Sequence, residues 1–249
     1  MTPPTIQQQL QSSKVVRVTP GDYVTTNGPI TIGQDQTLDL TGSTVRGSGP
    51  LVVLSGDHST LIGGKLIANA GTTAPIIGVK GAFRFKIDST QIVGDVDQLA
   101  IGIQVDSPDP ANNDIAYYGT IRDVEIKNVA VGIVLTEQAN GIHIANPLIS
   151  AAKTSYFRLV NAYGNQVIGG FSNGGGHSGQ GAITFDLQSP PSAPNVRSQM
   201  NVFLGHVTET GNAGRPYVIS QGSDGNKFLC QFNVSGTPQD HGKNNVFFK

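Results

Sequence analysis

Two acidic residues, Asp123 and Glu125, lie two positions apart in the short segment IRDVEI, which begins at Ile121. Alternate residues of an extended segment project to the same side, so both carboxyl groups can face solvent together. Pairs of carboxyl groups about 5 to 9 Å apart serve as acid and base in the cleavage of glycosidic bonds. Asp123 and Glu125 are therefore the candidate catalytic residues. The alternative interpretation is that they are ordinary surface charges.

Other polar and aromatic residues could bind a ligand beside this pair. The segment from Ser107 to Gly119 interrupts the regular spacing of the chain, contains Asp109 and Asp114, and ends in two tyrosines. Carboxylates can accept hydrogen bonds from sugar hydroxyls, and tyrosine rings can stack on sugar rings. The candidate substrate-binding residues are Asp88, Arg122, His143, Asp106, Tyr117 and Tyr118. A solvated loop and a surface ion pair between Asp88 and Arg122 are the alternative interpretations.

A second group of candidates surrounds another long interruption, between Ile168 and Leu204. The secondary candidates are His177, Asp186, His206 and Glu209. The repeat pattern predicts that Asn173 and Glu209 face inward, which requires either a hydrogen-bonded pair or a coil that opens there, because burying a lone carboxylate is costly. No tight metal-ligand spacing such as HExxH is present, so neither a metal nor any other cofactor is expected.

These residues are positioned by a repeat. A block of six residues that begins with a large aliphatic residue recurs eight times, on a stem of about two dozen residues without helical periodicity. The first residues of the blocks are Leu40, Ile62, Ile87, Ile121, Ile144, Ile168, Leu204 and Leu229. Such a period predicts a solenoid of stacked coils with these eight residues in one buried row. Small and turn-forming residues follow each of them and predict corners.

Stacking of coils about 4.8 Å apart makes equivalent positions neighbours. Asp88 is then expected over Arg122, Ser89 over Asp123 and Asn146, and Gln91 over Glu125. Asp106 and Asp186 are expected about three coils apart, roughly 14 Å, which is too far for direct cooperation.

Two further features follow from the repeat. The asparagines before the later blocks (Asn140, Asn165, Asn201, Asn226 and Asn245) predict a ladder of side-chain hydrogen bonds. The apolar residues Leu66 and Leu148 are expected to point outward and could mark a subunit contact.

The coil repeat, the asparagine turns and the N-terminal segment from Thr5 to Gly49, with a Gln-rich helix followed by VVRVTPGDY, resemble the right-handed parallel β-helix proteins of the pectate-lyase-like superfamily. The resemblance implies an all-β fold: a right-handed single-stranded parallel β-helix of about eight or nine coils. A short helical cap (1–14) is expected before the β-helix domain (15–249), with loop excursions near 107–119 and 173–200. The superfamily carries many chemistries, so the resemblance identifies an architecture and not a reaction.

The family's lyases have clustered aspartates beside a basic residue, and its epimerases and pectinases have closely spaced aspartates; neither pattern occurs here. The resemblance is therefore strongest to phage tailspikes and receptor-binding spikes, which implies a homotrimer that binds a bacterial surface polysaccharide and could depolymerise it by glycosidic hydrolysis. The alternatives are a monomeric carbohydrate-active enzyme, either a polysaccharide lyase or an epimerase, and a non-catalytic structural spike.

Composition excludes other classes. Charged residues are 13% of the chain and the net charge is −1, without a basic run, so nucleic acid is not an expected partner. No apolar run is long enough to enter a membrane, and no secretory signal is visible at the N-terminus. The single Cys230 cannot form an internal disulfide and is expected to be structural. The expected location is extracellular or virion-associated.

Overall fold

The fold was analysed in a computed structural model that describes residues 5–26, 28–95, 97–107, 115–174, 182–189, 198–209 and 214–248. The chain is an all-β parallel β-solenoid of about eight turns with one short helix at its N-terminal end. The predicted fold class is therefore confirmed. The predicted loop excursions fall largely on residues outside the described ranges, as do Asp109, Asp114 and His177.

Helix α1 (Ile6–Ser12) covers the first coil. Thr5 and Gln8 form a capping box at its N-terminus, in which each side chain bonds the other residue's backbone N–H. Ile6 and Leu10 are its buried residues. In the part of the chain that the structure describes, no helix has the length and apolar character needed to cross a membrane.

The strands pair in parallel, each with the equivalent strand of the next coil. They are β1 (Val15–Arg17), β2 (Asp22–Thr25), β3 (Ile30–Ile32), β4 (Thr37–Asp39), β5 (Thr44–Gly47), β6 (Val52–Leu54), β7 (Thr60–Ile62), β8 (Lys65–Ala68), β9 (Pro75–Lys80), β10 (Lys86–Asp88), β11 (Gln91–Val93), β12 (Ile101–Asp106), β13 (Thr120–Arg122), β14 (Glu125–Thr136), β15 (His143–Ala145), β16 (Leu148–Val160), β17 (Gln166–Ile168), β18 (Phe171–Asn173), β19 (Ile183–Gln188), β20 (Val202–Glu209), β21 (Arg215–Ile219), β22 (Lys227–Asn233), β23 (Gln239–Asp240) and β24 (Val246–Phe247).

The pairings form three rows along the solenoid. The first row runs from β1 through β4, β7, β10, β13, β15 and β17 to β20, β22 and β24. The second row begins with β2, β5, β8 and β11, and the third begins with β3, β6, β9 and β12. The long strands β14 and β16 turn the corner and belong to both the second and third rows.

The buried residues of the first row correct the predicted column. Ile87, Ile121 and Ile144 pair with one another and are fully buried, as expected. In other coils the buried member is the residue just before the predicted one, namely Leu61, Val167, Phe203 and Phe228. The predicted members Ile62, Ile168, Leu204 and Leu229 sit in the adjacent outward position, and Leu40 is buried beyond the end of β4.

The same shift by one residue corrects the second row. The inward column contains Leu66, Ser172 and Thr208, all fully buried. The expectation that Leu66 points outward is therefore wrong. The expectation that Asn173 and Glu209 face inward is also wrong, since Glu209 is exposed and Asn173 is partly exposed. Leu148 does point outward and is 41% exposed.

The C-terminal coils are held by an asparagine ladder. Asn165, Asn201 and Asn226 each donate from the backbone N and from Nδ2 to Oδ1 of the next asparagine, at 2.9–3.1 Å, and Asn245 ends the series. The predicted ladder is confirmed for these four residues. Asn140 is not part of it, because its position pairs with Tyr117 and Tyr163 instead.

Candidate functional site

Four ring-bearing side chains lie close together just before the first-row strands. They belong to His58, Phe83, Tyr117 and Tyr118 and are called the aromatic ridge below. Ring centroids are 5.6 Å apart for His58 and Phe83, 4.8 Å for Phe83 and Tyr117, and 5.3 Å for Tyr117 and Tyr118. Phe83 and Tyr117 form an isolated parallel bridge, so the coil stacking itself places one ring beside the next.

The aromatic ridge is accessible. Tyr118 is 60% exposed, and the Arg84 guanidinium carbon lies 4.7 Å from the centroid of the Phe83 ring. Arg84 and Tyr118 both adopt left-handed backbone conformations, with φ of 52° and 55°, which mark the bends where the chain enters a first-row strand. Exposed rings with an adjacent cation can pack on the apolar face of a ligand and donate hydrogen bonds to its edge.

A cluster of charges lies at the other end of the same strands, around Asp88. Arg122 donates from Nη2 to Asp88 Oδ2 and from Nε to Oδ1 at 3.4 Å. Lys86 Nζ lies 3.3 Å from Oδ2, and Ser89 Oγ donates to Oδ1 at 2.9 Å. Burial of Asp88 acts to raise its pKa, but hydrogen bonds from Arg122, Ser89 and Lys86 outweigh burial and hold the pKa below its ordinary value. Asp88 is therefore ionised near neutral pH and is a poor proton donor.

The corner that follows these strands brings Ser89, Asp123 and Asn146 together. All three have left-handed φ values, 54°, 51° and 49°, which allow the sharp bend between the first and second rows. Asn146 Nδ2 donates to Asp123 Oδ1 at 3.2 Å, and Arg122 Nε lies 3.5 Å from Asp123 Oδ2. Ser89, Asp123 and Asn146 therefore stack on adjacent coils, as predicted. Asp123 is about half exposed.

Glu125 begins the second-row strand just beyond this corner. Its Oε2 accepts a hydrogen bond from Gln91 Nε2 at 3.1 Å, and the two residues pair in register. Asp123 and Glu125 therefore lie on the same outer corner, each held by an amide of an adjacent coil. Carboxylates fixed in this way can accept hydrogen bonds from ligand hydroxyls. We call Ser89, Asp123, Asn146, Gln91 and Glu125 the polar corner.

The surface between the aromatic ridge and the polar corner is formed by β10, β13 and β15. Each strand is three residues long, which is about 10 Å. Exposed His143 pairs with Thr120 on this surface. The structure thus brings Asp88, Arg122, His143, Tyr117 and Tyr118 onto one continuous area, called the ridge–corner face below.

The remaining predicted residues lie elsewhere. Asp106 accepts a hydrogen bond from Thr136 Oγ1 at 3.0 Å in the third row. Asp186 is almost fully buried and accepts hydrogen bonds from Arg158 at 2.9 Å and from Gln188. Their strands are separated by three coil steps, as expected, and Asp186 lies in the column of Gln104, two positions from that of Asp106. Neither residue is part of the ridge–corner face.

His206 is enclosed inside the solenoid and offers no contact to a ligand outside it. Its Nε2 accepts a hydrogen bond from Ser172 Oγ at 2.8 Å, and its Nδ1 donates to the Gly169 carbonyl at 2.9 Å. Burial lowers the pKa of His206 to about 4, against a small opposing effect of the Gly169 carbonyl. Exposed Glu209 lies in the second row opposite Asn173 and Asn233.

Among the residues that the structure describes, no group of three or more His, Cys, Asp or Glu side chains is arranged to hold a metal ion. Cys230 is a free thiol, and burial raises its pKa to about 11.

Sequence reasoning missed His58, Phe83 and Arg84. A signal for the aromatic ridge is present in the sequence: Phe83 and Tyr117 each lie four positions before a buried isoleucine of the first row, Ile87 and Ile121. Residues at the same offset from Ile87 and Ile121 stack, so the pairing of Phe83 with Tyr117 could have been found from the predicted column.

The three rows of parallel strands define a parallel β-helix, and the structural neighbours of the chain are pectate-lyase-like proteins with this fold. No protein-family model and no curated protein sequence matches the chain.

Three solved structures show the likeness. An alginate lyase from Paenibacillus sp. str. FPU-7 has a TM-score of 0.62 at 15% identity, with 96% of each chain covered. The tailspike protein of E. coli bacteriophage HK620, solved as a double mutant, has a TM-score of 0.52 at 11% identity and covers 96% of this chain and 50% of its own. The enzymatically active domain of bacteriophage CBA120 tailspike protein 2 has a TM-score of 0.55 at 14% identity, covering 98% of this chain and 40% of its own. This chain therefore spans half or less of the two tailspike chains.

Proposed function

We propose that this protein binds a polysaccharide across the ridge–corner face. The observation that carries the proposal is the alignment of an exposed aromatic ridge with a row of fixed hydrogen-bonding groups on one outer surface. Sugar rings combine an apolar C–H face with hydroxyl groups that both donate and accept. The aromatic ridge can pack on the apolar C–H face, and the polar corner can form hydrogen bonds with the hydroxyl groups.

The coil repeat favours a chain-like ligand over a small one. Outward positions recur in register on β10, β13 and β15, so successive sugar units of a polymer can contact successive coils or the two ends of one strand. The alginate lyase and the two tailspikes among the structural neighbours support a carbohydrate ligand for this architecture. The fold alone does not select among ligands, so the proposal depends on the groups of the ridge–corner face.

A finer proposal is that the bound polysaccharide is cleaved by hydrolysis, with Asp123 and Glu125 as the carboxyl pair. One carboxyl group would protonate the leaving oxygen and the other would act as base or nucleophile. Asp88 is not a candidate for the acid, because Arg122 and Lys86 stabilise its ionised form. Asp88 instead orients Arg122 toward Asp123.

The finer biological role we propose is that of a tailspike-like protein on a virion or otherwise outside cells, assembled as a homotrimer. Support for side-by-side assembly comes from an outward apolar column in the C-terminal half of the first row, formed by Ile168, Leu204 and Leu229. Leu229 is 47% exposed, and outward Leu148 lies across the corner. Apolar residues in a row on an outer surface favour burial against another chain.

The test begins with wild-type protein and a panel of capsular, O-antigen and uronate polysaccharides, using affinity electrophoresis for binding and reducing-end and unsaturated-product assays for cleavage. Tyr118→Ala is expected to weaken binding by up to about tenfold, since one aromatic contact contributes about 0.5–1.5 kcal/mol. Phe248→Ala is the matched control, because Phe248 is 52% exposed and lies at the far end of the solenoid. Equal binding by the two variants contradicts the proposal.

The double variant Asp123→Asn with Glu125→Gln is expected to abolish any hydrolysis while the fold is retained. Asp22→Asn is its control, since exposed Asp22 begins the second-row column that contains Glu125. Wild-type turnover in the double variant removes the catalytic assignment but leaves the binding proposal standing. Light scattering after size exclusion separates a trimer from a monomer, and unsaturated products would identify a lyase.

A further inference from the structure

A cavity of about 580 Å³ lies at the N-terminal end of the solenoid, between helix α1 and the second-row strand β2. This volume is within the ~300–1,000 Å³ that ligand sites usually have. The cavity is remote from the ridge–corner face. Val24 in its wall is three coil steps from Val93, which lies two residues after Gln91 of the polar corner, so the nearest coil of that face is about 14 Å away along the axis.

The floor of the cavity is apolar and preformed. Ile6, Val18 and Ile30 line it and are each at most 7% exposed. Tyr23 adds a ring whose position is fixed, because its hydroxyl donates to the Thr19 carbonyl at 2.6 Å. Gln7 closes one side, since its amide pairs with both backbone groups of Thr31.

The rim is polar but uncharged. Exposed Thr19 and Thr26 line it, and Val24, 67% exposed, lies at its edge. No Asp, Glu, Lys, Arg or His is found among the described residues that line the cavity. A charged ligand would therefore lose hydration without gaining an opposite charge. A ligand with hydroxyl groups could instead form hydrogen bonds with the threonine hydroxyls of the rim.

We infer that this cavity is a second binding site, for an uncharged saccharide of one or two rings. The apolar floor and the Tyr23 ring would receive the C–H face of a sugar ring, and the threonine hydroxyls of the rim would bond its hydroxyls. A purely apolar ligand fits less well, because it would leave the polar rim without partners. The site is separate from the ridge–corner face, so its test stands whether or not that face binds polysaccharide.

The test is titration of the wild-type protein with neutral mono- and disaccharides and with matching uronic acids, followed by saturation-transfer NMR and calorimetry. Val24→Glu replaces an apolar contact at the edge of the cavity by a longer side chain whose carboxylate stays hydrated, and it is expected to weaken binding of neutral saccharides severalfold. Val15→Glu is the matched control, since Val15 is equally exposed, at 65%, on the neighbouring strand and does not line the cavity. Control affinity should equal that of the wild type.

Thr26→Val provides a second test that does not depend on how Val24→Glu folds. It removes one hydroxyl from an exposed residue without changing its shape, and binding should weaken severalfold. The inference is overturned if folded wild-type protein binds no neutral saccharide at millimolar concentration, if Val24→Glu and Val15→Glu bind equally well, or if uronic acids bind as tightly as neutral sugars. Binding of extended peptides in place of sugars would also overturn it.

Discussion

The buried imidazole of His206 is expected to make the protein less stable in mild acid. In the native solenoid the ring is fully enclosed, accepts a hydrogen bond from Ser172 and contacts the edges of the Phe157 and Phe185 rings, with centroids 5.2 and 5.7 Å away. Protonation would remove the acceptor that Ser172 uses and place a charge among aromatic rings. The perturbation is therefore a change of pH from 7.5 to 4.5.

The magnitude follows from the two pKa values of this group. The pKa of His206 is about 4 in the native state, against an ordinary value of 6.5. The unfolded chain thus takes up a proton that the native protein excludes. Stability is fully present above pH 6.5, and it is lost as the pH falls toward the native pKa. The free energy of unfolding should decrease by about 2 kcal/mol at pH 5 and by about 3 kcal/mol near pH 4.

Urea unfolding of wild type and of His206→Gln between pH 7.5 and 4.5 measures this loss. The variant removes the titrating group and retains an acceptor for Ser172, so its unfolding midpoint should change much less over this range. The described histidines other than His206 are exposed and occur in both proteins. The difference between the two plots of unfolding midpoint against pH therefore reports on His206. Parallel curves, or a His206 ring that NMR shows to be protonated at pH 5.5 in the folded protein, would refute the reasoning.

Two further predictions concern the stacking of coils. Asn201→Ala removes the acceptor of two Asn165 donors inside the solenoid and should lower the free energy of unfolding by about 3 kcal/mol. Asn245→Ala, at the partly exposed end of the ladder, should lower it by about 1 kcal/mol. Urea unfolding measures both losses, and equal losses would contradict the ladder. Gly119→Ala would drive a Cβ into the buried Phe85 ring and should lower the free energy of unfolding by about 3 kcal/mol. Gly78→Ala is the control, because its Cβ would meet only a Val53 methyl at 3.7 Å and the thermal midpoint should change little. A Gly119→Ala variant as stable as the wild type would be inconsistent with the packing.

The sequence predicts the parallel solenoid because its signal is repeated in every coil. Ile87 and Ile121 are flanked by polar residues, and Ile144 by a histidine and a small alanine, so each of these strands has a single large apolar residue to face inward. Their alignment also yields the stacking of Asp88 on Arg122 and of Gln91 on Glu125. Where the inward residue is unambiguous, contacts between residues more than thirty positions apart follow from spacing alone.

The register fails where two consecutive residues are both apolar. Val167 and Ile168, or Phe203 and Leu204, present the same pattern whichever member faces inward, and a slip of one residue reverses every side chain of the strand. This slip produced the false inward position of Glu209. The larger Phe203 is the buried member because it continues the stack of rings with Phe228, at 4.7 Å between centroids.

Selective labelling of tyrosine rings with ¹³C gives the most direct test of a polysaccharide bound across the ridge–corner face. The chain has six tyrosines, which report on separate surfaces and on the interior. A bound polysaccharide is predicted to shift the ring signals of Tyr117 and Tyr118 while those of buried Tyr156 and of Tyr217, near the far end, remain unchanged. Saturating polysaccharide that leaves Tyr117 and Tyr118 unshifted, or that shifts Tyr217 instead, would contradict the account.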